Sequence, residues 1–167
     1  MKRFLLTIFL MTASLCSFSQ EFNIPDYKIQ SPKDCDQYNN DVLKAIDWIM
    51  NTPPNKETEK QLKTRQFLIQ WMTETKAVSI YINSDILTFI DKNEDLLIIF
   101  MCGSSKYGLE NNVRSNRVEM TAAGIEFCID YYNKYKNILK KDKNLEKYIK
   151  MKDKGTLRTY LAKAIKE

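Results

Sequence analysis

Apolar residues recur along most of this chain at helical spacing, and Pro, Gly, Asn and Asp punctuate the intervals between them. Val42, Leu43, Ala45, Ile46, Ile49 and Met50 fall three and four residues apart, with Trp48 at the edge of the face they make. They predict a helix that starts near Asp34 or Asp36. Asn51-Thr52-Pro53-Pro54 ends it, because proline has no N–H to donate and restricts the residue before it. A second helix is expected from Lys56 to Thr75, polar at first and then with Leu62, Phe67, Leu68, Trp71 and Met72 to bury. The two would form an α-hairpin.

Val78, Ile80 and Ile82 alternate with Ser79, Tyr81 and Asn83, the one clear period-two stretch. A lone strand has no partner, so this is an extended connector, an edge offered to another molecule, or half of a small ribbon. Asp85 is placed to cap a short helical turn through Ile86, Phe89 and Ile90. From Glu94 to Tyr107 a third major helix is predicted, and its run Leu96 to Cys102 is apolar all round, as suits the centre of a core. Gly103 to Asn116 is polar and reads partly as loop. The longest predicted helix, Arg117 to Leu139, carries the stripe Val118, Ala122, Ile125, Ile129, Tyr132 and Leu139.

Two basic helices follow. Leu145, Tyr148 and Ile149 would bury the first, with Gly155 at its C′ position; Thr156 would cap the second, whose face is Leu157, Tyr160, Leu161, Ala164 and Ile165. The expected fold class is all-α: five or six antiparallel helices in one compact, bundle-like domain over residues 34–167. An extended leader, 20–33, with two prolines precedes it, and one short extended segment lies near 77–83.

The start of the chain reads differently. Lys2 and Arg3 precede the apolar run Phe4 to Met11, and Ser17 and Ser19 stand at the −3 and −1 positions of a signal-peptidase site. Residues 1–19 are therefore read as a cleavable signal peptide, with export to the periplasm or beyond. Lipidation at Cys16 is disfavoured because Leu15 stands where a small residue belongs. The apolar run is far shorter than the ~20 residues of a membrane-spanning helix, and Leu96 to Cys102 is broken by Gly103, so no transmembrane segment is expected.

Charge is unevenly spread. Residues 134–167 hold twelve Lys or Arg and four Asp or Glu, a net of +8, while residues 20–133 carry −5. Three cysteines remain after the signal: Cys35, Cys102 and Cys128. An odd number leaves one unpaired, and in a hairpin of the third and fourth major helices Cys102 and Cys128 would be offset by about 10 Å. Small buried thiols with no obligatory disulfide are expected.

Candidate chemistry is sparse. The chain has no histidine, which removes the commonest general base and transition-metal ligand. Asp91-Lys92-Asn93-Glu94-Asp95 resembles the first half of a calcium loop, but Leu96 stands where the turn needs Gly and Cys102 where a bidentate Glu belongs. A solvated turn with Asn93 as a helix cap fits better. Gly103-Ser104-Ser105-Lys106-Tyr107-Gly108 lacks the Gly-Lys-Ser/Thr ending of a phosphate loop and follows a helix, so an ordinary turn is the better reading of it too. Tyr132 and Lys136 have a spacing used by some reductases, without a dinucleotide fingerprint. Glu57, Glu59, Glu74, Glu110, Glu119 and Glu126 are available for acid–base work, and Glu119 and Glu126 share a helix face. No catalytic, cofactor-binding or metal-binding residue is nominated from these patterns.

The basic end interleaves lysines with tyrosines, a pattern that can bind polyanions. Export argues against nucleic acid. The candidate interaction surface is Lys140, Lys141, Lys143, Lys147, Lys150, Lys154 and Arg158, together with the 78–83 edge.

Trp48-Ile49 before Thr52-Pro53, Phe67-Leu68 before Trp71, and Asp91-Lys92-Asn93 to Met101 with Gly103, Lys106-Tyr107 and Leu109-Glu110 resemble a family of small exported α-helical bacterial proteins. The resemblance covers residues 40–160. It implies export and a helical fold and brings no activity and no site residues.

The function expected from all this is an exported, non-catalytic helical module that binds another envelope or secreted protein, as accessory or immunity-like binders do. The alternatives are a binder of anionic envelope surfaces, lipid or glycan, through the Lys-rich terminal helices, and a carboxylate-based hydrolytic enzyme.

Overall fold

The computed structural model describes residues 22–56 and 58–165; the segment read as a signal peptide lies outside them. A single turn, α1 (Pro32–Cys35), passes through a 3₁₀ turn (Asp36–Tyr38) into α2 (Asn39–Met50). The Asp34 carboxylate accepts from the backbone N–H groups of Gln30 and Ser31 at 3.0 and 2.8 Å, which starts the first turn. Val42, Ala45, Ile46 and Ile49 bury the face that their spacing predicts. Helix α3 (Glu59–Glu74) begins where the Thr58 hydroxyl accepts from Gln61 N, and buries Phe67, Leu68 and Trp71. Before them, residues 22–31 form no regular element yet pack on this pair: Phe22 and Ile29 are buried, and Gln70 donates to Ile29 O at 2.9 Å. The indole N–H of buried Trp71 donates to Cys35 O at 3.1 Å and ties α3 to the first turn.

The centre is an antiparallel pair, α4 (Asp95–Asn111) and α5 (Arg117–Lys134). Two hydrogen bonds set its register: Ser104 Oγ donates to Met120 O at 2.9 Å, and Cys128 Sγ donates to Leu96 O at 3.3 Å. The segment from Gly103 to Gly108, which the expected helix enters as far as Tyr107 and whose composition also suits a turn, is the interior of α4, which runs on to Asn111. Each glycine there weakens the helix by about 1 kcal/mol relative to alanine. What the glycines provide is close approach. A Cβ on Gly103 would stand 2.4 Å from Phe127 Cβ, and one on Gly124 would stand 2.6 Å from the Phe100 ring and from Ser104 Oγ. A Cβ on Gly108 would meet Val78 at 2.5 Å, so that glycine is the seat of the extended segment. Helix α4 ends at Asn112, whose φ of 53° is the left-handed cap a non-glycine residue rarely supplies.

Among the described residues there is no strand, and the 77–83 segment is an irregular connector joined to residues 113–117 by one backbone bond, Ser79 N to Arg114 O at 2.7 Å. The turn after it is capped by Asn83, whose carboxamide oxygen accepts from Asp85 N at 2.8 Å; Asp85 is not the cap. Residues 85–92 form turns and no helix, although Ile86, Leu87 and Phe89 are buried. Asn93 does not cap α4 either. Its side chain acts as a second backbone, donating to Lys140 O and accepting from Lys140 N, both at 2.9 Å. Helix α5 accordingly stops at Lys134, five residues before its expected end at Leu139, because the chain must turn to meet Asn93.

Helix α6 (Lys143–Asp153) is capped by buried Asp142, which accepts from Asn144 N and Leu145 N at 2.8 and 2.9 Å. Gly155, with φ 67°, holds the C′ position. Helix α7 (Leu157–Ala164) buries Leu157 and Leu161. Thr156 occupies its N-cap position, but the hydroxyl turns back to Met151 O instead of capping α7. The described residues are all-α, with six helices, α2 to α7, around one hydrophobic core. Among the described residues no helix is long and apolar enough to cross a membrane.

Candidate functional site

The carboxylates available for acid–base work are largely engaged. Glu119 and Glu126 do share a face of α5, and Arg158 of α7 lies between them: its Nε donates to Glu119 at 2.7 Å and its Nη1 to Glu126 at 2.8 Å. These bonds, that to Glu126 foremost, raise the guanidinium above its already high range. The candidate acids and one candidate cation thus neutralise one another. Glu59 pairs with Lys63 at 2.7 Å, and Glu110 with Lys106 at 2.8 Å. Glu57 is outside the described residues. Tyr132 is buried and Lys136 exposed, so their spacing assembles no site.

The thiols are inert. Cys35, Cys102 and Cys128 are all buried and unpaired. The register sets Cys128 opposite Leu96, six residues from Cys102, or about 9 Å along the helix. Burial pushes the Cys102 thiol up to about 12, and burial raises Cys128 as well. Such thiols stay protonated and are poor nucleophiles. The Gly-Ser segment is no open loop: Ser104 and Ser105 are buried, the Ser104 hydroxyl donates to Met120 O, and the Ser105 hydroxyl has no partner, so that serine serves the interior by its small size.

The structure splits the basic candidates. Lys140 stands apart, its backbone clamped by Asn93. Lys141 pairs with Glu146 at 3.6 Å, and Arg158 is held by the two glutamates. Lys143, Lys147, Lys150 and Lys154 come together. They border one shallow hollow of about 610 Å³ on α6, with half-buried Met151 among them. At the 78–83 edge, Arg117 stacks on the Tyr81 ring at 5.1 Å, beside an open hollow between residues 79–81 and 113–117.

One surface went unnoticed in the sequence. An open groove of about 700 Å³ lies between α3, the start of α4 and residues 138–140, with Leu97, Ile98 and Met101 along its floor. Ile69 and Ile138 border it and are 49% and 42% exposed. The half-buried pair Arg65–Asp95, at 2.7 Å, crosses its wall, with Asp91 and Lys92 nearby. Ile69 could have been found as the one isoleucine lying off the buried stripe Thr64, Phe67, Leu68 and Trp71. Ile138 could not, because it was counted inside a longer α5.

The fold and these surfaces define a small all-helical bundle with an open groove and shallow surface hollows. No protein-family model matches the chain. No curated protein and no solved structure matches it either.

Proposed function

We propose that this protein is an exported, non-catalytic helical module that binds another protein through the groove between α3 and α4. The observation that carries the reading is the pair Ile69 and Ile138, both large, both about half exposed and both bordering one groove. Apolar side chains gathered at a polar-rimmed concavity are what protein interfaces use as anchors, whereas single exposed isoleucines scattered over a surface mean little. The Arg65–Asp95 pair and the charges at Asp91 and Lys92 supply the polar rim that sets orientation. Against catalysis stand the Arg158 fork, which engages the two carboxylates best placed to act together, and the raised, buried thiols.

The test has two arms. Cell fractionation of the tagged full chain should find it outside the cytoplasm and shortened by the signal segment. Affinity capture of that exported form, with Ile69→Glu and Ile138→Glu beside it, should yield one stoichiometric protein that both substitutions release. Recovery of the same partner with both variants, or of no stoichiometric partner with the unaltered chain, would refute the groove reading. Both side chains are exposed, so neither substitution should lower the thermal midpoint.

A further inference from the structure

We infer that α6 carries a second contact face, separate from the groove, that docks the protein on an anionic lipid surface. Lys143, Lys147, Lys150 and Lys154 follow one another at intervals of four, three and four, which places them along one side of the helix over about 16 Å. The helix cannot rotate to scatter them. Leu145 and Tyr148 are buried on its other side, and the Tyr148 hydroxyl donates to Ile86 O at 2.9 Å.

The face is also uncompensated. No acid pairs with any of the four lysines among the described residues, and Glu146, the one carboxylate at the hollow, is drawn to Lys141. Several cations elsewhere are held by acids, Lys106 by Asp47 and Glu110, Lys152 by Asp130, and Arg158 by Glu119 and Glu126, whereas on α6 four lysines without such a partner stand together on one side. Lys147 alone has a further contact, lying 5.1 Å above the Tyr160 ring, which leaves its charge intact.

The choice of lipid over an acidic protein rests on what the face lacks and how it is charged. A specific protein interface is organised around desolvated anchors, commonly aromatic or arginine. Here the only apolar side chain at the hollow is Met151, half-buried, and the cations are lysines, mobile point charges with no fork geometry to match. Headgroups that diffuse in a plane need no such match, and each lysine near an anionic bilayer contributes about 1 kcal/mol. The charge asymmetry helps, since residues 134–167 carry +8 against −5 over residues 20–133. Such a dipole turns its basic end toward a negative plane.

The test is co-sedimentation of the chain from Gln20 onward, which holds every described element, with phosphatidylcholine vesicles that contain phosphatidylglycerol. The probe omits the apolar residues 4–11, which would bind bilayers by themselves. Binding is expected at low salt, released as salt rises and absent from pure phosphatidylcholine. The variant Lys143→Gln, Lys147→Gln, Lys150→Gln, Lys154→Gln should lose about a hundredfold or more in partitioning. A charge-matched control, Lys28→Gln, Lys33→Gln, Lys56→Gln, Lys76→Gln, should lose less than about threefold by the same principle. Circular dichroism confirms that both are folded.

Equal losses in the two variants would show that net charge acts without an α6 face and would overturn the proposal. So would no binding to the anionic vesicles, or tighter α6-dependent binding to polyglutamate, which would hand the face to an acidic protein. None of these outcomes touches the groove, whose reading fails only through Ile69 and Ile138.

Discussion

The α4–α5 centre and the α6–α7 end of this protein are built on opposite terms. In the centre, helices approach so closely that Gly103 and Gly124 leave no room for a methyl group, and the register is set by a serine and a cysteine donating to backbone carbonyls. At the end, α6 is held by Asp142 and two buried side chains, Leu145 and Tyr148, and α7 by Leu157, Leu161, Ile165 and the Arg158 fork. The centre has no room for added volume at these glycines, and two of its exposed acids, Glu110 and Asp130, are met by Lys106 and Lys152. The end presents charge outward and rests on few contacts. A molecule arranged this way can alter its surface chemistry on α6 without disturbing the core that positions it.

The largest expected effect strikes the centre through pH. Cys102 ionises near 9 when unfolded and near 12 when folded, so its protonated, buried form contributes stability that is fully present below pH 9 and lost as pH rises toward 12. Cys128 and Tyr131 in the centre are raised by burial too and act in the same direction, and Tyr148 adds a like contribution from α6. The unfolding free energy from urea titrations should fall on the alkaline side by an amount on the order of several kcal/mol, and a flat profile from neutral pH to about pH 11 would contradict the buried placement of these groups.

Gly103→Ala comes next. With Phe127 Cβ 2.4 Å from the new methyl group and Ala123 O at 3.0 Å, the seam must open, at about 2–3 kcal/mol by urea denaturation. An unchanged midpoint would mean that the helices are not in this register.

At the other end, Asp142→Ala removes two cap hydrogen bonds from a buried carboxylate and should cost about 1–2 kcal/mol. If α6 is the weakly held element, hydrogen exchange in that variant should quicken over residues 143–153 while α4 and α5 stay protected. Uniform quickening would show one cooperative unit and erase the contrast. The smallest effect belongs to the four-lysine Gln variant, whose stability should stay within about 0.5 kcal/mol of the parent because no described acid pairs with any of the four at the surface of α6. A larger loss would make the stripe part of the fold.

Where residues act on near neighbours, the chain could be read directly. Most of the apolar positions on α2, α3, α6 and α7 face inward where their spacing puts them, although Leu62 of α3, expected in the core, is 51% exposed and Ala164 of α7 is exposed; Gly155 takes the left-handed C′ position expected of it. Errors fall where a distant partner overrides a local preference. Glycine and serine between Gly103 and Gly108 favour loop locally, but in this protein they are the small surface against which α5 packs. Asp85 and Asn93 are both good caps by type, yet Asn83 caps the turn and Asn93 is committed to Lys140, 47 residues away. Thr156 fails as a cap for a local reason: its hydroxyl turns back to Met151 O, five residues earlier at the end of α6.

The amino-acid sequence by itself determined the all-helical class, the faces that most of the helices bury, the lack of histidine chemistry and the segregation of lysines to one end. Those properties follow from helical period, capping and composition, which act within a turn or two of each residue. Only the tertiary structure decided which cations are free, that Arg158 bridges Glu119 and Glu126, and that Ile69 and Ile138 border one groove. These join residues 32 to 69 positions apart, and their meeting depends on helix register and crossing, which close packing of the whole core selects.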